Sequence, residues 1–158
     1  MSISPNPKEP QVVAPLTGEL PLAEMEPLLA DSRGEGYKFV DRLVDDFVNG
    51  SNRFDRPGEA LYGVYAGEQL VSVGGLNCDP YLPDENAGRV RHVYVRPAFR
   101  RQGAGRLLMQ AIIDAAWSSH FRLLTLRTFN PAADVFYRAL GFVTQPDIEG
   151  VTHHLTLH

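Results

Sequence analysis

The chain has 158 residues, 44% of them hydrophobic and 22% charged, with a formal net charge of −4. That length suits one ordinary domain with a sizeable core, and the balance is that of a globular chain rather than a disordered one. The acidic total argues against binding nucleic acid or an anionic membrane by bulk electrostatics, and the single cysteine, Cys78, excludes an intrachain disulfide and a multi-cysteine zinc site.

A lone cysteine fits a cytoplasmic location. No apolar run approaches the roughly 18 to 20 residues that span a bilayer. The first eleven residues, MSISPNPKEPQ, carry prolines where a secretory leader needs an apolar run, and they read as an extended arm before a single domain at 12–158.

Residues 12–16, VVAPL, predict a short strand that Pro15 ends or confines to an edge. A helix is expected over 22–33, with Pro27 either starting or kinking it. In YKFVDRLVDDFVNG, the residues Phe39, Val40, Leu43, Val44, Phe47 and Val48 recur at helical spacing, and Gly50 supplies a stop. ALYGVYAGEQLVSVGGLN reads as a hairpin turning at AGEQ. The polar connection CDPYLPDENAG leads to a third strand, RVRHVYV, then a helix to about Ser118. RLLTLRT is another strand, PAADVFYRAL a helix, and GFVTQ and VTHHLTL are closing strands. The pattern is α/β, a mixed sheet with helices on both faces.

Chemistry concentrates in RVRHVYVRPAFRRQGAGR, which holds Arg89, Arg91, Arg96, Arg100, Arg101 and Arg106 and no acid. Pro97 ends the strand, Gly103 and Gly105 clear side chains from the backbone, and the next helix brings free N–H groups and the positive end of its dipole. Together these features make an anion site, with a diphosphate as the natural anion. A P-loop needs Lys and then Ser or Thr after its last glycine, where this chain has Arg106 and Leu107. A dinucleotide fingerprint needs a glycine at 108, which is Leu108.

The stretch resembles the acetyl-CoA loop of the GNAT superfamily of N-acetyltransferases, with Arg100, Gly103 and Gly105 following Val95 and Pro97. A second stretch, LRTFNPAADVFYRALGF, is similar to that family's other signature through Asn130, Ala133, Phe136, Tyr137, Leu140, Gly141 and Phe142. Taken without the family, these same residues make an ordinary helix, with Asn130 as N-cap, Pro131 at the first position and Gly141 at the stop. The likeness covers about residues 61–145.

The resemblance implies a mostly antiparallel sheet flanked by about four helices, and acetyl-CoA as co-substrate with no metal. It implies a diphosphate held by the backbone from Gln102 through Gly103, Ala104 and Gly105 to Arg106, with Arg100 and Arg101 beside it. The pantetheine arm would pair with the strand edge at Val93, Tyr94 and Val95 and meet Asn130 and Phe136, with Tyr137 near the cofactor sulfur.

On that basis, direct transfer to a primary amine in a ternary complex is expected, with Tyr137 as general acid. Relatives carry a glutamate near the place of Arg89 or Arg91; here His92 is the nearest candidate base, against the plainer alternative of a packed strand residue. Asp79 could draw a cationic amine, as could Asp31, Glu35 and Asp41. A small-molecule amine is favoured over a protein, and a homodimer through a terminal strand is compatible with the family. The rival reading is a non-catalytic module that binds an acyl-CoA as sensor or partner.

Overall fold

The computed structural model describes residues 9–16 and 18–157. The N-terminal arm expected from the sequence lies almost wholly outside these residues.

Seven strands form one sheet in the order β1-β2-β3-β4-β5-β7-β6. The strands are β1 (Gln11–Pro15), β2 (Ala60–Ala66), β3 (Gln69–Cys78), β4 (Ala87–Val95), β5 (Leu123–Leu126), β6 (Val143–Thr144) and β7 (His153–Thr156). The helices are α1 (Leu22–Gly34), α2 (Phe39–Asn49), α3 (Ala104–Trp117) and α4 (Pro131–Ala139). All neighbours are antiparallel except β4 and β5, which α3 joins as a parallel pair. The mixed, mostly antiparallel sheet between helices agrees with expectation. One detail differs, in that β6 has only two residues; of the two places open to Pro27, it takes the one within α1 rather than at its start, on the exposed side.

Each face of the sheet has its own core. Val64, Val71, Leu76, Val90, Leu124 and Leu126 pack under α3 and α4 with Leu108, Ile112, Tyr137 and Phe142. Leu61, Leu70, Val73 and Tyr94 pack under α1 and α2 with Met25, Leu28, Val40 and Leu43. The helix ends follow from local chemistry. Gly50 takes a left-handed φ of 84° and closes α2, and the Asn130 side chain accepts hydrogen bonds from the N–H groups of Ala132 (2.8 Å) and Ala133 (3.3 Å) to start α4.

Two irregularities of β4 shape the site. Val73 faces Tyr94 and Gly75 faces Arg91, so Gly74 alone stands opposite both His92 and Val93. This is a β-bulge, with His92 at a left-handed φ of 57°. A bulge bends its strand and adds twist. On the other edge, β4 pairs with β5 only from Ala87 to Arg89. Beyond Arg89 the two strands part, and among the described residues Val90 to Val95 have no strand partner on that side.

Candidate active site

The parting of β4 and β5 leaves an unpaired edge where one more extended chain can add main-chain hydrogen bonds. At the far end of β4, a 3-10 turn at Pro97–Phe99 leads into α3. Arg101 and Gly103 both take left-handed backbone, at φ 64° and 90°, and no side chain caps the first N–H groups of α3. A Cβ on Gly103 would meet nothing within 4 Å, so this glycine serves the backbone turn rather than close packing. An open groove beside it is lined by Gln102, Arg106, Leu107 and Gln110, with Gln11 of β1 opposite. Bare helix amides beside an unpaired strand edge fit a diphosphate followed by an extended arm.

Gly105 has a different reason from the one expected. A Cβ there would lie 3.3 Å from the Phe136 ring and 3.5 Å from Val95, so the absent side chain serves the approach of α3 to α4 and leaves the Gly105 N–H as it is.

The six arginines do not form one cradle. Arg101 and Arg106 stay at the loop, where both lie outside the ion pairs of the described residues. Arg96 pairs with Asp31 at 2.7 Å, and Arg100 grips Glu35 through both terminal nitrogens, at 2.9 and 2.7 Å. The Nε of Arg100 also donates to the Val95 carbonyl at 3.0 Å, and the Tyr94 hydroxyl donates to the same Glu35. Arg100 therefore braces the corner after α1 against the end of β4, and its guanidinium is already committed. The Arg100 contacts, followed by the Tyr94 hydrogen bond, hold the Glu35 carboxyl below its ordinary range against the opposing effect of burial.

Arg89 and Arg91 project toward the α1–α2 side, away from Val90 in the α3 core. Arg89 is only 6% exposed and donates to the Gly150 carbonyl at 2.8 Å, with its guanidinium 4.6 Å from the centre of the Tyr81 ring. The four acids expected to draw a cation are all spent. Asp31 and Glu35 are taken by Arg96 and Arg100, and Asp41 by Arg33 at 2.6 Å. Asp79 is 8% exposed; one carboxylate oxygen accepts from the N–H groups of Tyr81 and Leu82, and the other from the Thr125 hydroxyl. Its carboxylate folds the connection before β4 instead of facing an acceptor.

Of the proposed proton carriers, His92 stacks on Phe39, with ring centres 6.5 Å apart and planes 9° apart, and lies 3.4 Å from an Arg91 nitrogen. Burial, followed by the charges of Arg91 and Arg42, lowers its pKa to about 4. Tyr137 is buried among Phe136, Phe142 and His153, and burial alone pushes its phenol well above the ordinary value. Cys78 is raised by burial first and then by Glu59, the reverse of an activated thiol.

Asn130 uses its oxygen for the α4 cap and its nitrogen for the Tyr37 hydroxyl, at 3.3 Å. Tyr37 and Tyr94 meet edge to face, with ring centres 6.5 Å apart, so this hydrogen bond ties the corner above β4 to the N-cap of α4. Neither the bulge nor this bridge was legible in the sequence. Gly74 and Gly75 opposite RHV were the only hint of the bulge.

Among the described residues, no group of three or more His, Cys, Asp or Glu side chains gathers to hold a metal, and no helix is long and apolar enough to cross a membrane.

Comparison with known proteins bears on this geometry. A family model of the acetyltransferase (GNAT) domain matches residues 57–144. An uncharacterized protein of Mycobacterium leprae is 33% identical over an aligned stretch of 115 positions that covers 65% of this chain and 32% of that protein, so the chain spans about a third of this curated relative's length. A candidate acetyltransferase of Exiguobacterium sp. 255-15 superposes with a TM-score of 0.82 at 30% identity, covering 93% of both chains. The N-acetyltransferase PaiA of Thermoplasma acidophilum, solved with coenzyme A, shares the fold at a TM-score of 0.68 and 13% identity, over 94% of this chain and 99% of that one. A candidate acetyltransferase of Salmonella typhimurium, solved with acetyl-CoA, does so at 0.69 and 14%, over 94% of each. The family match spans more than half of the residues, and it takes in the hairpin, the bulged strand, the glycine turn and the helix after Asn130; the chain belongs to the GNAT acetyltransferase family.

Proposed function

We propose that the protein transfers an acetyl group from acetyl-CoA to a primary amine, directly and within one ternary complex. The observation that carries this reading is the unpaired edge of β4 beyond Arg89, running to the uncapped start of α3 at Gly103. The N–H groups from Gln102 to Arg106 would hold the diphosphate, and the edge at Val93 and Val95 would hold the pantetheine arm. When bound, acetyl-CoA supplies a thioester carbonyl and a thiol leaving group.

Tyr137 is the chain's proton donor in this scheme. Its phenol stays protonated throughout the working range, so the proton is present as charge develops on sulfur. Burial makes the phenol a weaker acid than a thiol of ordinary pKa ~8.5, so donation belongs to the transition state rather than to a free thiolate. A main-chain N–H of Val93 or Tyr94 would polarise the carbonyl. His92, with its pKa lowered to about 4, is an acceptor of low basicity, so the amine must arrive as its free base or lose its proton to water. Cys78 takes no part, because a thiol raised by burial and a neighbouring carboxylate is a poor nucleophile.

Calorimetric titration with acetyl-CoA, with ATP and NAD as controls, tests the reading. Acetyl-CoA should bind, and Gly103→Val should lose that binding through left-handed strain at the turn. Binding of ATP or NAD in place of acetyl-CoA would overturn it, and acetyl-CoA binding without transfer to any amine would leave a coenzyme-binding module.

A further inference from the structure

Arg89 stands in register with Thr125 where β4 and β5 still pair. Arg91 lies two residues further along one strand and Arg127 two residues beyond Thr125 along the other. Side chains alternate along a strand, and Val90, Leu124 and Leu126 all enter the α3 core. The three arginines therefore share the opposite face, Arg89 at the vertex of the split and Arg91 and Arg127 on its two arms. Burial above all disfavours the charge on Arg89, and the nearby charges of Arg91 and Arg127 add to it against the opposing pull of Asp79 and Tyr81.

No carboxylate among the described residues lies within ion-pair distance of any of the three. Arg89 is nine-tenths buried, yet its Nη1 has no hydrogen-bond partner. Asp79, the acid that acts on it most strongly, has both oxygens bonded elsewhere. Arg91 approaches only His92, and exposed Arg127 lies 5.0 Å from the centre of the Phe129 ring. Arg96 and Arg100, on the same strand end, are each matched to a carboxylate. Three cations thus stand against the single carboxylate of Asp79, which acts on Arg89 without bonding it, whereas Arg96 and Arg100 are matched one to one; the excess positive charge leaves a place for an anion.

We infer that the acceptor amine also carries an anionic group, a carboxylate or a phosphate, which docks on Arg91 and Arg127 in front of Arg89. This rests on the acetyltransferase reading and deepens it by naming the acceptor's class, and it reverses the expectation of a purely cationic amine. Guanidinium groups suit either anion, because each presents paired donors to two oxygens.

The test compares acceptors in pairs at saturating acetyl-CoA, following thiol release: alanine with alaninamide, and phosphoethanolamine with ethanolamine, with spermidine as a polycation. The anionic member of at least one pair should have a kcat/KM at least tenfold higher, and which pair responds identifies the carboxylate or the phosphate. That ratio should fall toward one in Arg91→Gln and Arg127→Gln and recover in part with Arg91→Lys. Equal or better turnover of the neutral amines or spermidine overturns the inference.

Melting temperature with succinate or inorganic phosphate, measured with and without coenzyme A, gives a readout free of turnover. Either anion should stabilise the protein, and the Arg91→Gln, Arg127→Gln double variant should lose the effect. If acetyl-CoA does not bind but this stabilisation persists, the acetyltransferase reading fails and the acceptor with it, while the anion site stands. If acetyl-CoA binds and neither the preference nor the stabilisation is seen, the anionic acceptor fails alone.

Discussion

Tyr37 and Asn130, 93 positions apart in the chain, meet through a 3.3 Å hydrogen bond between the amide nitrogen and the phenol oxygen. The bond joins the corner after α1 to the N-cap of α4, and so bridges elements on opposite sides of the β4–β5 split. Tyr37→Phe removes the bridge and keeps the cap; Asn130→Ala removes both. Loss of a cap costs about 0.5–2 kcal/mol, whereas an exposed neutral hydrogen bond contributes about 1 kcal/mol or less. Asn130→Ala should therefore lower the melting temperature more than Tyr37→Phe. Tyr37→Phe should speed both association and dissociation of acetyl-CoA in stopped-flow measurements. Unchanged rates would show that the bridge does not gate the split.

Gly105 and Gly103 should respond differently to a methyl group. At Gly105 an added Cβ would lie 3.3 Å from Phe136, which asks α4 to give way by a few tenths of an ångström. Gly105→Ala should keep acetyl-CoA affinity within about threefold, since modest overpacking costs about 1–3 kcal/mol of stability and touches no ligand. Gly103→Ala has open space but must hold φ near 90°, so it should weaken binding while leaving the cores intact. Titration of both variants, with melting curves, checks the pair.

Tyr137→Phe keeps a ring for the packing against Phe136 and Phe142 and removes only the hydroxyl. If the phenol donates to the leaving sulfur, kcat should fall by about 10²-fold or more, with little change in acetyl-CoA affinity. Because burial raises this phenol above its ordinary value, the wild-type rate should show no decline from its ionisation below pH 10. Pre-steady-state measurements between pH 7 and 10 decide it; an unchanged kcat excludes Tyr137 as the donor.

His92 ties the site to acid stability. The folded protein holds this imidazole neutral down to about pH 4, while an unfolded chain protonates it near the ordinary value of ~6.5. Between those limits the unfolded state binds more protons, so stability is complete above about pH 6.5 and is lost as the pH falls toward 4. The ceiling on this effect is on the order of 3 kcal/mol. His92→Asn retains a residue that tolerates left-handed backbone and carries no such charge, so its melting temperature should depend less on pH in that window. The acidic limb of the transfer rate should follow the pKa of the amine and persist in this variant. A wild-type inflection near pH 6.5 that His92→Asn abolishes would restore His92 as the base.

Local signals explain what the sequence made legible. The spacing from Phe39 to Val48, Gly50 at its end and the Asn130-Pro131 start each act within one turn of helix, and each element formed where its pattern stands. The glycine turn was readable for the same reason. What could not be read depends on partners far along the chain. Arg100 looked like a free cation because Glu35, its partner, is 65 residues away. Asp79 looked like an acceptor contact because Thr125, 46 residues on, is invisible to spacing. The basic stretch from Arg89 to Arg106 was correct as composition and wrong as a single cradle, since strand alternation and one bulge send its side chains to three places.

The bulge at His92 also sets how this gene can change. One extra residue shifts the phase of β4, so that Val93 and Val95 enter the aliphatic layer beneath α3 while Tyr94 turns toward Glu35. Loss of a single codon at this point would shorten the strand by one residue and exchange its two sides, aiming both valines at the carboxylate and the phenol at Leu108. Insertions and deletions should thus be excluded from this stretch far more strictly than substitutions, and a length change elsewhere in β4 could survive only with a compensating one on the other side of His92.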